Sequence, residues 1–241
     1  MVNIIDCVRN VAADRYGMIK ILILSIPAIL GTYATLSGQI IVSGLVNSIF
    51  GIIFLAVFFE TIRRSCNAEP MLLPSFLMPV RMFLTLGLTI VSAIPVFLVC
   101  VGLYIGLVVL LKENPQILSN QVSYYITCSI FVLLTTSLFF ASITQYLDTG
   151  KVFDAYNPMK VLRALKTFIV NYFFFVIQDA LVVAIFIVLP AWVIFMLGGK
   201  NPTNFYLIVF LCMGAVFNYL VFADYIGQTK KDSESPYERL F

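Results

Sequence analysis

The 241-residue sequence contains no histidine, and only 11% of its residues are charged. The lack of histidine removes the side chain that most often acts as a general base and as a transition-metal ligand. The low charge excludes an ordinary soluble domain, in which about a quarter of the residues are charged. The chain is instead 61% hydrophobic, with a mean hydropathy of +1.01, which is typical of a protein that folds in a membrane.

Cysteine is scarce and scattered. The five cysteines stand singly, and no two have the C-x-x-C spacing of a zinc or redox motif. The sequence also lacks a glycine-rich phosphate loop, G-x-S-x-G and H-E-x-x-H. We therefore predict no catalytic residues, no metal site, no cofactor and no enzymatic activity. Basic residues fall at the predicted membrane edges, so we expect no nucleic-acid partner.

Charged residues are absent from five long runs of the chain. A helix needs about 20 apolar residues to cross about 30 Å of hydrocarbon, and the first run, 21–59, is long enough for two crossings. The sequence LSGQ at 36–39 would form the turn between them. The predicted transmembrane helices are about 19–37, 39–62, 83–111, 122–147, 172–198 and 203–226. Because barrel strands would alternate polar and apolar residues, these continuous runs predict an all-α bundle of six transmembrane helices.

Lysine and arginine are distributed unevenly among the segments outside these helices. Thirteen of the fifteen lie before helix 1, between helices 2 and 3, between helices 4 and 5, or after helix 6. The other two, Lys112 and Lys200, lie in the remaining loops. Because basic residues favour the cytoplasmic side of short loops, we expect a multi-pass protein of the cytoplasmic membrane with both termini in the cytoplasm.

Three segments on that side are expected to lie on the membrane surface. Residues 2–16 have one apolar face, and residues 69–83 carry three prolines that forbid one straight helix. Residues 158–170 are expected to form a short amphipathic cytoplasmic helix before the chain turns into helix 5. The basic candidates for lipid head-group contacts are Arg63, Arg64, Arg81, Lys160, Arg163 and Lys166.

The predicted organisation has three parts and a loose internal repeat. Residues 1–18 form an amphipathic N-terminal segment, 19–227 the transmembrane domain and 228–241 a polar tail whose last residues, 236–241, could dock on a partner. The unit of helices 2 and 3 ends at LLKENP (110–115), and the unit of helices 4 and 5 ends at LGGKNP (197–202). This pattern favours a two-unit duplication as much as a coincidence of biased composition.

Three stretches carry a resemblance to a known family: ETIRRSCNAEPMLLPSFLMPVRMFLTLGL (60–88), QYLDTGKVFDAYNPMKVLRALKTFIVNY (145–172) and YLVFADYIGQ (219–228). On these residues the chain resembles an uncharacterised prokaryotic membrane-protein family, domain of unknown function number four thousand and thirteen. It is similar to the membrane domain of some bacterial glycerophosphodiester phosphodiesterases. The family's usual tryptophan in the first surface loop is replaced here by LLPSFLMP. The resemblance implies a fold and supplies no catalytic residues.

Two acidic residues are expected at helix ends. Glu60 precedes Arg63 and Arg64 by three and four residues, a helical spacing that allows an ion pair at the membrane interface. Asp224 ends helix 6 beside Tyr225. A structural anchor is the favoured interpretation of both, and a functional role is the alternative.

Asp179, next to Gln178, is the acidic residue that most invites a functional interpretation. An intramembrane carboxylate is a functional hypothesis by default. However, the charge-free run 180–199 alone spans about 30 Å at about 1.5 Å per residue, so Asp179 could lie near the cytoplasmic boundary, bonded to a neighbouring helix. A structural hydrogen bond and a proton- or ion-handling role both stay open.

Two classes of function follow from these features. The first is a non-enzymatic accessory, scaffold or interaction subunit of a prokaryotic cytoplasmic membrane, in contact with membrane lipids and with a protein partner or a second copy of itself. The alternative is a small transporter or channel for an ion or amphiphile. It requires one shared cavity for five polar residues: Asn171, Gln178, Asp179, Gln145 and Asn218.

Overall fold

The computed structural model describes residues 2–14, 17–69, 78–114, 116, 121–198, 201 and 203–233, and this part of the chain contains helices and no β-strand. Six helical spans of the described chain are long and apolar enough to cross a membrane. The all-α prediction with six spans is therefore confirmed, and the chain is a multi-pass integral membrane protein. The helices are α1 (Ile4–Ala13), α2 (Gly17–Leu36), α3 (Ile40–Cys66), α4 (Met78–Glu113), α5 (Gln121–Thr149), α6 (Pro158–Val183), α7 (Leu189–Leu197) and α8 (Phe205–Ser233).

The fifth span differs from its prediction because no separate surface helix precedes it. Helix α6 starts at Pro158, capped by the Asn157 side chain, and continues through a π-helical turn, Ala184–Val188, into α7. Residues 159–189 contain neither proline nor glycine, so nothing in the sequence bends the chain there. The basic segment 158–170 therefore forms the first turns of a 40-residue span.

The last helix also extends further than expected. Helix α8 continues to Ser233, so the first six residues of the predicted polar tail, 228–233, are helical. Thr229 and Lys230 are buried there, and Lys230 Nζ lies 3.3 Å from Asp148 Oδ2 of α5. Buried contacts thus hold the first part of the tail in a helix. Residues 234–241 and most of the proline-containing loop, 70–77, lie outside the described residues.

Buried apolar side chains concentrate at one end of the bundle, where α3, α5 and α8 end and α6 begins. There the ring of Phe58 packs against Phe140 and Phe222, with ring centroids 6.3 and 5.7 Å away. Cys7 and Val11 of α1 are buried at the same end, so α1 packs against the bundle and is part of its core. This apolar packing joins residues of α2, α3, α4, α5, α6 and α8 with α1.

The opposite halves of the helices expose large apolar side chains. Ile41 of α3, Leu98 of α4 and Tyr125 of α5 are all mostly exposed. In a bilayer these side chains contact acyl chains, which are as apolar as leucine itself. The bundle is therefore tightly packed at one end and faces lipid over much of the other.

Helix α8 approaches α3 closely because residue 227 is glycine. A Cβ atom at Gly227 would lie 2.4 Å from Ser65 Cβ and 2.9 Å from the carbonyl oxygen of Ile62. Any larger residue would push the two helices apart. This contact brings the polar side chains of α3 and α8 within hydrogen-bonding distance.

Candidate functional site

Polar side chains from five helices meet at the packed end of the bundle. Cross-helix contacts define this region, and we call it the polar end: Glu60 with Arg81, Asp148 with Lys230, and Asn10 with Asp224. These contacts join α3 to α4, α5 to α8, and α1 to α8. The predicted cytoplasmic loops and the described parts of both terminal segments thus lie on one side of the molecule.

Glu60 is the centre of a buried ion-pair network. Its side chain is fully buried, and its two oxygens accept hydrogen bonds from Arg63 at 2.8 and 2.9 Å, from Arg64 at 3.0 Å and from Thr85 at 3.0 Å. Arg81 Nε lies 3.6 Å from the same carboxylate. A buried carboxylate is tolerated only when it is paired and hydrogen-bonded, and here the pairing also ties α3 to α4.

Glu69 closes this network at the aqueous side. Both of its oxygens accept hydrogen bonds from Arg63, at 3.0 and 3.3 Å, and Arg81 approaches to 4.0 Å. The hydrogen bonds from Arg63 lower the pKa of the Glu69 carboxyl below its usual range. Three arginines and two glutamates therefore share one cluster whose charges are largely compensated.

The predicted lipid head-group contacts separate into two groups. Arg64 is only 7% exposed, and Arg63 is shared by Glu60 and Glu69, so these two guanidinium groups are engaged within the protein rather than at the membrane surface. The reason is the buried carboxylate, which needs their charge. The side chains of the remaining candidates are exposed enough to reach lipid head groups: Arg81, Lys160, Arg163 and Lys166.

Asp224 is held by neutral donors from three helices. Ser65 Oγ donates to Asp224 Oδ1 at 2.6 Å, while Gln228 and Asn10 donate to Oδ2 at 2.7 and 3.1 Å. Burial and the nearby Asp224 carboxylate raise the pKa of the Cys7 thiol on α1 far above its usual value. The thiol thus stays protonated, so it is not an activated nucleophile.

An open cavity of about 670 Å³ lies beside Asp224, between the C-terminal ends of α1, α3 and α8. Its charged lining, among the described residues, consists of four carboxylates and one lysine: Asp14, Glu69, Asp224, Asp232 and Lys231. We call it the acidic cavity. The described part of the chain contains no group of three or more His, Cys, Asp or Glu residues that could hold a metal ion. Two of the four carboxylates are paired within the protein, Asp14 with Lys20 and Glu69 with Arg63.

A second cavity, of about 560 Å³, lies between α5, the 3₁₀ helix Val152–Tyr156, α6 and α8. We call it the basic cavity after the cations that line it: Lys151, Lys160, Arg163 and Lys230. Lys160 Nζ donates to Asp154 at 2.9 Å, and this contact lowers the pKa of the Asp154 carboxyl. Lys160 and Arg163 lie on α6, whereas Lys151 precedes the 3₁₀ helix and Lys230 lies on α8. Tertiary packing brings the four cations to one cavity.

Asp179 of α6 pairs with Asn218 of α8. Asn218 Nδ2 donates to Asp179 Oδ2 at 3.3 Å, and both residues line a third cavity, of about 430 Å³. The carboxylate is thus bonded to a neighbouring helix. Asp179 lies outside the polar end, because it follows Pro158, the first residue of α6, by 21 residues, or roughly 31 Å of helix.

The other polar residues of the transporter alternative lie elsewhere. Gln178 accepts a hydrogen bond from the backbone of Ile4 at 3.3 Å, and Gln145 lines the basic cavity. Asn171 is 2% exposed, and its carbonyl oxygen accepts a hydrogen bond from Tyr225. Asp179 and Asn218 thus line one cavity, whereas Gln178, Gln145 and Asn171 do not line it. The transporter alternative requires all five residues in one cavity.

No protein-family model, no curated protein and no solved structure matches this chain. The basis for a functional conclusion is therefore the geometry of the polar end and of the cavities.

Proposed function

We propose that this chain is a non-enzymatic subunit of a prokaryotic cytoplasmic membrane, and that it binds a protein partner through its polar end. In this proposal the polar end faces the cytoplasm, because it carries the basic loops. The acidic cavity is the observation on which the proposal rests. The resemblance to an uncharacterised membrane-protein family is compatible with it, since that family supplies no catalytic residues.

The buried charged groups of the polar end bond to other helices, which supports a structural rather than a catalytic role for them. Glu60 is neutralised by arginines, Asp224 is surrounded by hydrogen-bond donors, and Lys230 pairs with Asp148. Each of these groups joins two or more helices. A catalytic acid or base would need a polar atom directed at a substrate, in a site with a matched pKa. The charges here instead make a rigid surface.

The chemistry of the acidic cavity indicates the kind of partner. Four carboxylates and one lysine line the cavity; Lys20 pairs with Asp14 and Arg63 with Glu69, whereas Asp224 accepts its hydrogen bonds from neutral donors. We therefore expect a segment rich in lysine or arginine to bind beside Asp224. Such complementarity contributes to specificity and to the rate of association more than to affinity. On the lipid side, exposed Arg81 and Lys166 are placed to contact anionic head groups.

Two alanines at the end of α1 provide a matched test. Ala13 lines the acidic cavity, whereas its neighbour Ala12 is exposed and does not. We expect Ala13→Arg to fill the cavity with a bulky cation and to release the partner during purification in mild detergent. Ala12→Arg adds the same charge to the same helix and should retain the partner.

The companions of each purified variant are identified by mass spectrometry and compared with those of the wild type. The expected result is the loss of one companion that carries an exposed basic segment, at unchanged yield of the membrane protein. Retention of every companion by Ala13→Arg would exclude the acidic cavity as the binding surface. Loss from both variants would show an effect of charge on α1 alone.

A further inference from the structure

The third cavity lies between the fifth and sixth membrane-spanning helices, apart from the polar end. Gly198 follows Asp179 by 19 residues, which corresponds to roughly 28 Å of helix, and Asn218 follows the start of α8 at Phe205 by 13 residues, or roughly 20 Å. Both side chains therefore lie on the membrane-spanning helices, toward the polar end, and Asp179 is almost one hydrocarbon thickness, about 30 Å, from the far end of its span. Exposed Leu211 and Ala215 form part of the lining, so the cavity opens toward lipid.

The wall of this cavity contains the π-helical turn of the fifth span. Ile187 lies within the turn Ala184–Val188, and Val183 directly precedes it, and both line the cavity. A π turn inserted in an α-helix is rare and is often found at functional sites. The helix is thus irregular beside Asp179, on the side that faces Asn218.

Within the described part of the chain, no cation pairs with the carboxylate of Asp179. The cavity is lined by no lysine or arginine among the residues that the structure describes, and the neutral amide of Asn218 is its hydrogen-bond donor. Asp179 Oδ1 and Asn218 Oδ1 are buried acceptors without a hydrogen-bond partner in the described chain. A carboxylate in apolar surroundings takes up either a proton or a cation, because the unpaired charge is poorly solvated there.

The remaining lining selects among cations. Phe175, Tyr219 and Phe222 bring aromatic rings to the cavity, and a ring face attracts an organic cation. A metal ion would need several oxygen ligands, and two side chains supply them here. The unsatisfied atoms are acceptors, so a ligand with N–H donors complements them, and the lipid-facing opening favours a ligand with an apolar tail.

We propose that Asp179 and Asn218 form an intramembrane binding site for the protonated amine of a lipid-soluble amphiphile. In this site the ammonium group pairs with the Asp179 carboxylate beside the aromatic rings, and the tail extends past Leu211 into the bilayer. The site goes beyond the proposed partner surface and shares no residue with the acidic cavity, so each can fail without the other.

The test uses the full-length protein in an uncharged detergent, with dodecylamine as the probe. Dodecanol has the same tail without the charge. We expect dodecylamine to raise the Tm of the wild type in a concentration-dependent way, dodecanol to leave it unchanged, and Asp179→Asn to lose the shift. Asp6→Asn, which removes an exposed carboxylate on α1, should keep it. An equal shift in Asp179→Asn, or an equal effect of dodecanol, would overturn the proposal.

A chemical measurement on the wild type covers the case in which Asp179→Asn does not assemble. Dicyclohexylcarbodiimide enters membranes and reacts with protonated carboxyl groups in apolar surroundings; the carboxyl adds across one C=N bond and no atom is lost. We expect the peptide that contains Asp179 to gain the mass of the carbodiimide, and dodecylamine but not dodecanol to leave the peptide unmodified. An Asp179 dodecylamide, formed when free amine attacks the activated carboxyl with loss of dicyclohexylurea, counts as labelling. Labelling that dodecylamine leaves unchanged would refute the amine site.

Discussion

Arg64 Nε and Glu60 Oε1 lie 3.0 Å apart, one helical turn from each other on α3, and both side chains are buried in the polar end. The spacing of four residues is visible in the sequence, but it normally describes an exposed pair that contributes a few tenths of a kcal/mol. Burial makes the pair matter more to stability, because a buried charge without its partner is poorly solvated. Thr85 and Arg81 add contacts from the next helix.

Replacing Glu60 is therefore expected to weaken the whole polar end. Glu60→Gln removes the buried charge that Arg63, Arg64 and Arg81 share, and loss of one partner of a buried pair costs roughly 3–5 kcal/mol. Thermal unfolding in detergent, followed by fluorescence, measures the loss. Glu113→Gln, at the exposed end of α4, is the control and should behave as the wild type. Equal stability of the two variants would show that the network is dispensable.

The Glu69 carboxyl predicts a pH dependence of stability. Its pKa is lower in the folded protein than its ordinary value of 4.5 because of Arg63. A lowered folded pKa gives stability that is present above the ordinary pKa and is lost as the pH falls through the folded pKa. The stability difference between the wild type and Glu69→Gln should thus be constant above pH 4.5 and shrink below it.

Solvent screening keeps this effect small. The Glu69 side chain is 37% exposed, and exposed pairs typically contribute about 1 kcal/mol or less. The measurement is the Tm of the wild type and of Glu69→Gln from neutral to acidic pH, at low and at high salt. High salt should reduce the difference between the two proteins, because it screens an exposed ion pair. A difference that grows as the pH falls would contradict the assigned direction of the shift.

Gly227 predicts an effect of side-chain size on helix packing. Gly227→Val places new atoms against Ser65 and the carbonyl oxygen of Ile62, and such overpacking costs about 1–3 kcal/mol. Gly106→Ala is the contrasting change: nothing lies near a Cβ at Gly106, so it should stabilise α4 slightly. Destabilisation by both variants, to the same extent, would point to the loss of glycine itself rather than to the α3–α8 contact.

The topology can be tested by cysteine labelling in cells after replacement of the native cysteines. Ser37, Asn114 and Asn201 are exposed at the end opposite to the polar end, and Lys151 is exposed beside it. If the basic loops are cytoplasmic, an impermeant maleimide should label cysteines at the first three positions in intact cells. A cysteine at position 151 should react only after permeabilisation, and the reverse pattern would invert the orientation.

The spans and their number follow from the sequence because a membrane imposes a simple rule. Every backbone polar group in hydrocarbon must be satisfied within a helix, so the five charge-free runs directly predict six crossings. The sequence predicts the ends of the helices less well than their number. The charge pattern of residues 158–197 predicts a surface helix followed by a span, whereas the chain forms one continuous helical span with a π-helical turn, because no proline or glycine interrupts residues 159–189.

The composition and the charge-free runs are thus enough to predict a basic, histidine-free protein with six spans and to single out Glu60, Asp179 and Asp224 as unusual carboxylates. What surrounds each carboxylate depends on the packing of distant helices. Asn10 and Ser65 lie 214 and 159 residues from Asp224, and Asn218 lies 39 residues from Asp179. No local pattern predicts such pairs, because helix packing in a membrane depends on close side-chain fit rather than on a repeated motif, as the contact at Gly227 illustrates.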